Sequence, residues 1–207
     1  MRKIAILFGL LFALQTVVMA QLTDQENVVF NAHLLETFNL NVDGIVQEIT
    51  FATAADYNNG VTEAGGIVPG FTLISVEATG NWWLSINAPD FVPGGANPGT
   101  GSIPIANLGV WCEATGTHQF GNEVTCSYQT ANTALGLENP PAAPEMIGNG
   151  SGNAGDISDN AFTLHWLMGT MQGSMETTSM FDQLALGTLF STGDFTTTAL
   201  LTLTEIP

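Results

Sequence analysis

Hydrophobic and polar positions alternate along much of this chain with a period of two, the pattern of strands that bury one face. The longest run starts at Val28. Val28, Phe30, Ala32, Leu34, Phe38, Leu40 and Val42 share one side, interrupted only by Glu36, while Asn31, His33, Thr37, Asn39 and Asn41 share the other. A helix would not keep that spacing. The run is too long for one ordinary strand, so it predicts a bulge or a change of sheet near Glu36.

Further strands are predicted downstream. Ile45, Gln47, Ile49 and Phe51 fall on one face of a second strand, and Phe71 to Ala78 forms a third. After a turn at Gly80-Asn81, Trp82, Leu84, Ile86 and Ala88 alternate cleanly. The segments around Cys112 and Cys126 read as a hairpin closed between Gly116 and Asn122. Phe162, Leu164, Trp166 and Met168 alternate again, and the chain finishes with Phe195, Thr197, Ala199, Leu201 and Leu203 opposite threonines 196, 198, 202 and 204. That threonine row reads as the outer face of a sheet. The one stretch with helical character is Glu176 to Leu186. Many short strands separated by turn residues predict an all-β, antiparallel sandwich or barrel. Two long Gly/Pro/Asn-rich segments, 88–104 and 138–160, interrupt the pattern and are expected to be loops.

The N-terminus changes the picture. Arg2 and Lys3 precede an apolar run from Ile4 to Val18, and Val18-Met19-Ala20 supplies the small residues a signal peptidase reads, so 1–20 is expected to be a signal peptide cleaved before Gln21. The run of about 15 residues is shorter than the roughly 20 needed to span a bilayer. Residues 21–207 are then expected to form a single exported domain with no membrane insertion. Arg2 and Lys3 are the chain's only basic residues, set against 19 carboxylates. The processed chain therefore has no Lys or Arg to displace counterions from phosphate, which argues against nucleic acid as a partner. In an oxidising compartment Cys112 and Cys126 are expected to form a disulfide closing a loop of about 15 residues, worth roughly 3 kcal/mol. A metal pair or a catalytic thiol is the alternative.

Chemical motifs are sparse. Gly150, Gly152 and Gly155 spell the dinucleotide fingerprint, but Pro140, Pro141 and Pro144 precede them and no helical pattern follows, so the motif lacks its strand–helix setting. The same region concentrates oxygen ligands. Asn149, Asn153, Asp156 and Asp159 are candidate calcium ligands, although their spacing is not that of an EF-hand. No serine sits in a GxSxG elbow, and His33, His118 and His165 are scattered. These features predict a protein that is not an enzyme and carries no cofactor, with calcium as the one candidate ion. Trp83 alternates with Trp82, so one of the pair faces outward, and Trp83 is a candidate glycan contact.

Two stretches carry a resemblance. Ile49-Thr-Phe-Ala-Thr-Ala-Ala-Asp-Tyr-Asn-Asn-Gly-Val61 and Gly193-Asp-Phe-Thr-Thr-Thr-Ala-Leu-Leu-Thr-Leu-Thr-Glu205 resemble secreted Ig-like β-sandwich surface proteins of Gram-negative bacteria, similar to spore-coat-U and fimbrial (pilin) subunits. The resemblance implies a structural subunit of an extracellular filament, fimbria or coat on the cell surface. Its partners would be copies of itself or other surface subunits. It further implies assembly by strand addition, with Val28, Phe30, Ala32 and Leu34 as the assembly strand. The alternative is a secreted adhesive module that binds glycan or calcium.

One consequence needs no structure. Trypsin should leave the processed chain uncut even in denaturant, whereas a ladder of fragments on a gel would show that the start of the processed chain is misplaced.

Overall fold

The structure, a computed structural model, describes residues 36–44, 46–62, 71–139, 145–187 and 189–207. Its strands, in chain order, are β1 (Phe38–Asp43), β2 (Val61–Thr62), β3 (Thr72–Ala78), β4 (Trp82–Asn87), β5 (Val92–Pro93) and β6 (Leu108–Ala114). After them come β7 (Val124–Thr125), β8 (Leu135–Gly136), β9 (Glu145–Asn149), β10 (Gly155–Met168), β11 (Phe195–Thr196) and β12 (Leu200–Glu205). All pairings between these strands are antiparallel. A six-stranded sheet runs β1-β3-β10-β6-β8, with β2 added on β10, and a four-stranded sheet runs β12-β4-β9-β7. The chain is all-β in class, as its alternation predicts.

The middle of the chain follows its pattern closely. Ile74, Val76 and Ala78 of β3, and Trp82, Leu84 and Ile86 of β4, are all buried. The turn between them passes the chain from the six-stranded sheet to the four-stranded one, and the inward residues of both belong to a single hydrophobic cluster. Phe162 of β10 meets the Trp82 ring edge-on with 6.1 Å between centroids, a direct contact between the sheets. The described residues Glu36–Pro207 form one compact unit. Within them no helix is long and apolar enough to cross a membrane.

β10 is buried on both faces along its second half. Phe162, Leu164, Trp166 and Met168 face the other sheet, while on the opposite face Thr163, His165 and Leu167 are also buried, His165 under the Trp111 ring and Leu167 in a small second cluster with Ala134 and Met175. Alternation thus reports one apolar face here, but tertiary packing covers both.

Several expectations need correction. The predicted second strand is absent: residues 46–50 join no ladder, and 45 lies outside the described residues. Gln47 instead ties this stretch to its surroundings, donating to Gly44 O at 2.7 Å and to Thr72 Oγ1 at 3.2 Å. A helix the alternation did not predict, Ala54–Asn59, follows it. Thr53 caps it by accepting from the Asp56 amide, while the Asp56 side chain accepts from the Thr53 amide, a reciprocal capping box. The predicted helical stretch folds as the shorter helix Met180–Ala185, capped by Ser179.

The two cysteine segments do not form a hairpin. β6 belongs to the six-stranded sheet, whereas β7 pairs with β9 in the other. Cys112 and Cys126 are nonetheless bonded to each other, both within the core cluster. The 128 carbonyl accepts from the Cys112 amide at 2.9 Å, so the chain beyond β7 runs back along the edge of β6.

Neither long segment is a loose loop. Residues 88–104 zip onto 189–196 through the β5–β11 pair and through bridges from Pro98 to Asp194 and Gly101 to Phe190. The Asp194 carboxylate accepts from the Asn97 amide at 2.8 Å. Gly193, at φ 152°, lies against the Gly99 backbone, where any side chain would collide. The second segment, apart from 140–144, which lie outside the described residues, supplies β9 and the start of β10. The final strand is likewise split. Phe195 and Thr196 pair with β5, and only Leu200–Glu205 pairs with β4.

The two halves of β10 should differ sharply in urea titrations. Leu164→Ala, in the fully buried row, is expected to cost about 2–5 kcal/mol, whereas Ile157→Ala, exposed near the strand's start, is expected to change stability by no more than about 0.5 kcal/mol.

Candidate functional site

Three places carry side chains that the sequence singled out: the turn between β9 and β10, the outer face of β4, and the outer edge of β1. The first is structural. Asn153 is fully buried. Its Oδ1 accepts from the Trp82 amide at 3.0 Å, and its Nδ2 donates to the Trp82 carbonyl at 2.8 Å. Its own carbonyl accepts from the Trp82 indole N–H at 2.8 Å and from Asn160 Nδ2 at 3.0 Å. The side-chain amide thus stands in for a neighbouring strand by satisfying the N–H and C=O of Trp82 where β4 begins, and the Asn153 backbone carbonyl satisfies the indole N–H.

This arrangement does not fit the calcium expectation. Asn153 has no oxygen left to offer, and Asn149 Oδ1 accepts from the Asn153 amide at 3.1 Å. Asp156 Oδ1 accepts from Ser158 N and Ser158 Oγ, each at 2.7 Å, and from Asp159 N at 3.2 Å. These bonds, led by the Ser158 hydroxyl, hold the Asp156 carboxyl below the usual range. Asp159 accepts from Thr117 Oγ1 through one oxygen and from the Asp156 amide through the other. The carboxylates shape their own turn and dock the 116–123 loop on it, and they do not converge on a cation. Among the described residues no three His, Cys, Asp or Glu side chains gather at metal-binding range. The Gly150–Gly155 fingerprint lies in the same turn, between two strands, with no helix to meet a pyrophosphate.

The histidines are apart in their surroundings. His118 Nδ1 pairs with Asn160 Oδ1 at 2.9 Å. His165 stacks on Trp111 with ring centroids 3.8 Å apart, and its Nε2 lies 3.4 Å from Glu113 Oε2. His33 lies outside the described residues. Of the tryptophan pair, Trp82 is the inward ring, and Trp83 is half-buried on the outer face of the four-stranded sheet.

Among the described residues β1 ends its sheet with no strand beyond it. The Thr79 amide donates to the Thr37 carbonyl at 2.9 Å, and the register then makes Asn39, Asn41 and Asp43 the residues whose backbone groups face β3. By the same alternation, the N–H and C=O groups of Phe38, Leu40 and Val42 point away from the sheet. The side chains of these three residues lie on the core side, opposite Ala78, Val76 and Ile74. Leu40 packs half-buried against the core cluster, whereas its neighbours on this row sit at the rim and stay open: Phe38 is 43% exposed and Val42 37%. On the opposite face of the same sheet, where Leu73 alternates with the buried Ile74, a shallow depression of about 340 Å³ is lined by Leu73, Ile157 and Ala161 among others. Among the described residues no strand pairs with this edge, and exposed apolar side chains flank it on both faces. The alternating pattern alone predicted burial for the row of Phe38, Leu40 and Val42. Its position at the end of the sheet, which no local signal encodes, leaves its ends open. Val28, Phe30, Ala32 and Leu34, the expected assembly strand, lie outside the described residues.

No protein-family model matches this sequence, and no curated protein matches it either. The likeness to spore-coat and fimbrial subunits therefore rests on the residues quoted above.

Asn153→Ala should destabilise the fold by about 2–4 kcal/mol in chemical denaturation, because it strands the buried N–H and C=O of Trp82. Millimolar calcium should leave the melting temperature of the parent protein unchanged.

Proposed function

We propose that this chain is an exported structural subunit of a bacterial surface filament, fimbria or coat, an Ig-like β-sandwich that assembles by accepting an extended strand along β1. The observation that carries the reading is the edge itself. Phe38, Leu40 and Val42 turn backbone groups outward that no described strand pairs, and the apolar side chains of Phe38 and Val42 are exposed at the rim of the core side. A strand added there gains main-chain hydrogen bonds along its length and covers the apolar rim with every second side chain.

The donor that fits this edge carries apolar residues at alternate positions and polar ones between them. Val28, Phe30, Ala32 and Leu34, with Asn31 and His33 between, have that pattern, so the reading takes the donor from a neighbouring copy. Export through the 1–20 signal, an oxidising destination for the Cys112–Cys126 bond and a processed chain without Lys or Arg all accord with a Gram-negative cell surface. A catalytic role finds no support in the geometry of the described histidines and carboxylates.

The test uses two adjacent prolines. Val42→Pro, at an exposed side chain, removes an outward-facing N–H and leaves the β1–β3 ladder whole, a place where edge strands tolerate proline. Asn41→Pro removes an inward-facing N–H and is expected to destabilise the fold by about 1–3 kcal/mol. In negative-stain electron microscopy the processed parent chain should form regular filaments. Val42→Pro should stay monomeric with a melting temperature close to the parent's. Dispersed parent monomers at all concentrations, or filaments undiminished in Val42→Pro, would overturn the reading.

A further inference from the structure

The outer face of the four-stranded sheet places Trp83 in a setting unlike that of Trp82 and Trp166, and unlike that of Trp111, whose ring face is taken by the His165 imidazole 3.8 Å away. Trp82 and Trp166 are buried, and each indole N–H is satisfied, by Asn153 O at 2.8 Å and by Thr72 Oγ1 at 3.0 Å. Trp83 is half-buried, and its indole N–H makes no hydrogen bond to the described residues. An aromatic ring held on a sheet with its polar edge left to solvent has both an apolar face and a donor to offer a ligand.

The register builds a row across the sheet at this level. Thr204 of β12 lies opposite Trp83. On the other side Leu84 pairs with Ile147, which brings Gly148 of β9 beside Trp83, and Gly148 in turn pairs with Thr125 of β7. The row Thr204–Trp83–Gly148–Thr125 crosses four strands, about 14 Å at the usual strand spacing. Gly148 contributes no side chain. In the space a Cβ would take lies the Glu145 carboxylate, with Thr125 Oγ1 close by. The carboxylate and the hydroxyls of Thr125 and Thr204 make no side-chain hydrogen bond to the described residues, and Glu145 and Thr125 are exposed.

We infer that this row is a platform for a neutral saccharide. The C–H face of a pyranose ring packs on the Trp83 indole, and ring hydroxyls donate to the Glu145 carboxylate and exchange hydrogen bonds with Thr125 and Thr204. The length of the row suits a short stretch of a glycan chain. Charge selects the class of sugar. With 19 carboxylates and no basic residue beyond Arg2 and Lys3, the surface repels sulfated and uronic-acid polymers and admits uncharged ones. This inference is independent of strand addition at β1, which lies at the edge of the other sheet, and it gives a surface subunit something to hold.

Affinity electrophoresis of the processed protein through gels containing glycogen, galactomannan or hydroxyethylcellulose, with heparin as the anionic control, tests it. Retardation by at least one neutral polymer and none by heparin is expected. Trp83→Ala should weaken that retardation at least about tenfold, Trp83→Tyr should restore part of it, and Glu145→Gln, on an exposed side chain that leaves the core untouched, should weaken it with an unchanged melting temperature. No retardation by any of the three neutral polymers overturns the inference. So does retardation that survives both Trp83→Ala and Glu145→Gln, or binding to heparin as strong as to the neutral polymers.

Discussion

The clamp of Asn153 on Trp82 is the interaction on which the rest of this structure leans. Trp82 opens β4 just after the turn at which the chain leaves one sheet for the other. At that point the backbone has no neighbouring strand to satisfy it, and its ring has to enter the core beneath Phe162. A buried amide from 71 residues away supplies the missing donor and acceptor. Because unsatisfied buried polar groups are expensive, that substitution is what lets the crossing sit inside the protein rather than at its surface. The same turn places Asp156 and Asp159 where they dock the 116–123 loop, so one short connection fixes both the sheet crossing and the neighbouring loop.

A second constraint comes from charge. A chain whose only basic residues are Arg2 and Lys3 cannot guard its strand edges with lysine, the commonest device against unwanted pairing. β1 ends the six-stranded sheet with Asn39, Asn41 and Asp43 on one side and an apolar row on the other whose ends, Phe38 and Val42, are exposed. What restrains promiscuous pairing is the net negative charge of the whole molecule, which acts over a Debye length of roughly 8 Å in physiological salt. Such a surface favours a partner that brings its own register, which is how the edge and the alternating segment before it are joined in the proposed assembly.

Parts of the fold were legible residue by residue. The alternation in β3, β4 and β10 names the buried positions correctly because those strands lie in sheet interiors, where period two and burial coincide. The Met180–Ala185 helix showed in the local pattern around 176–186. The Ala54–Asn59 helix carried a readable signal in Thr53 and Asp56, the capping box, which the apolar spacing on either side obscured. The expected hairpin at Cys112 and Cys126 failed because proximity in sequence and a disulfide both permit partners in different sheets. The Asn149–Asp159 oxygens looked like ion ligands because their number is visible in sequence, whereas their hydrogen-bond commitments are not.

By itself, then, the sequence determined the all-β class, the inward rows of the central strands, the acidic character and the absence of basic residues beyond Arg2 and Lys3, since these follow from side-chain chemistry and a two-residue period. Tertiary structure alone decided which strands share a sheet and that Asn153 serves Trp82. It also decided that β1 is left at an edge, and that Thr204, Trp83, Gly148 and Thr125 stand in one row. Those outcomes depend on contacts between residues far apart in the chain, and no local pattern carries them.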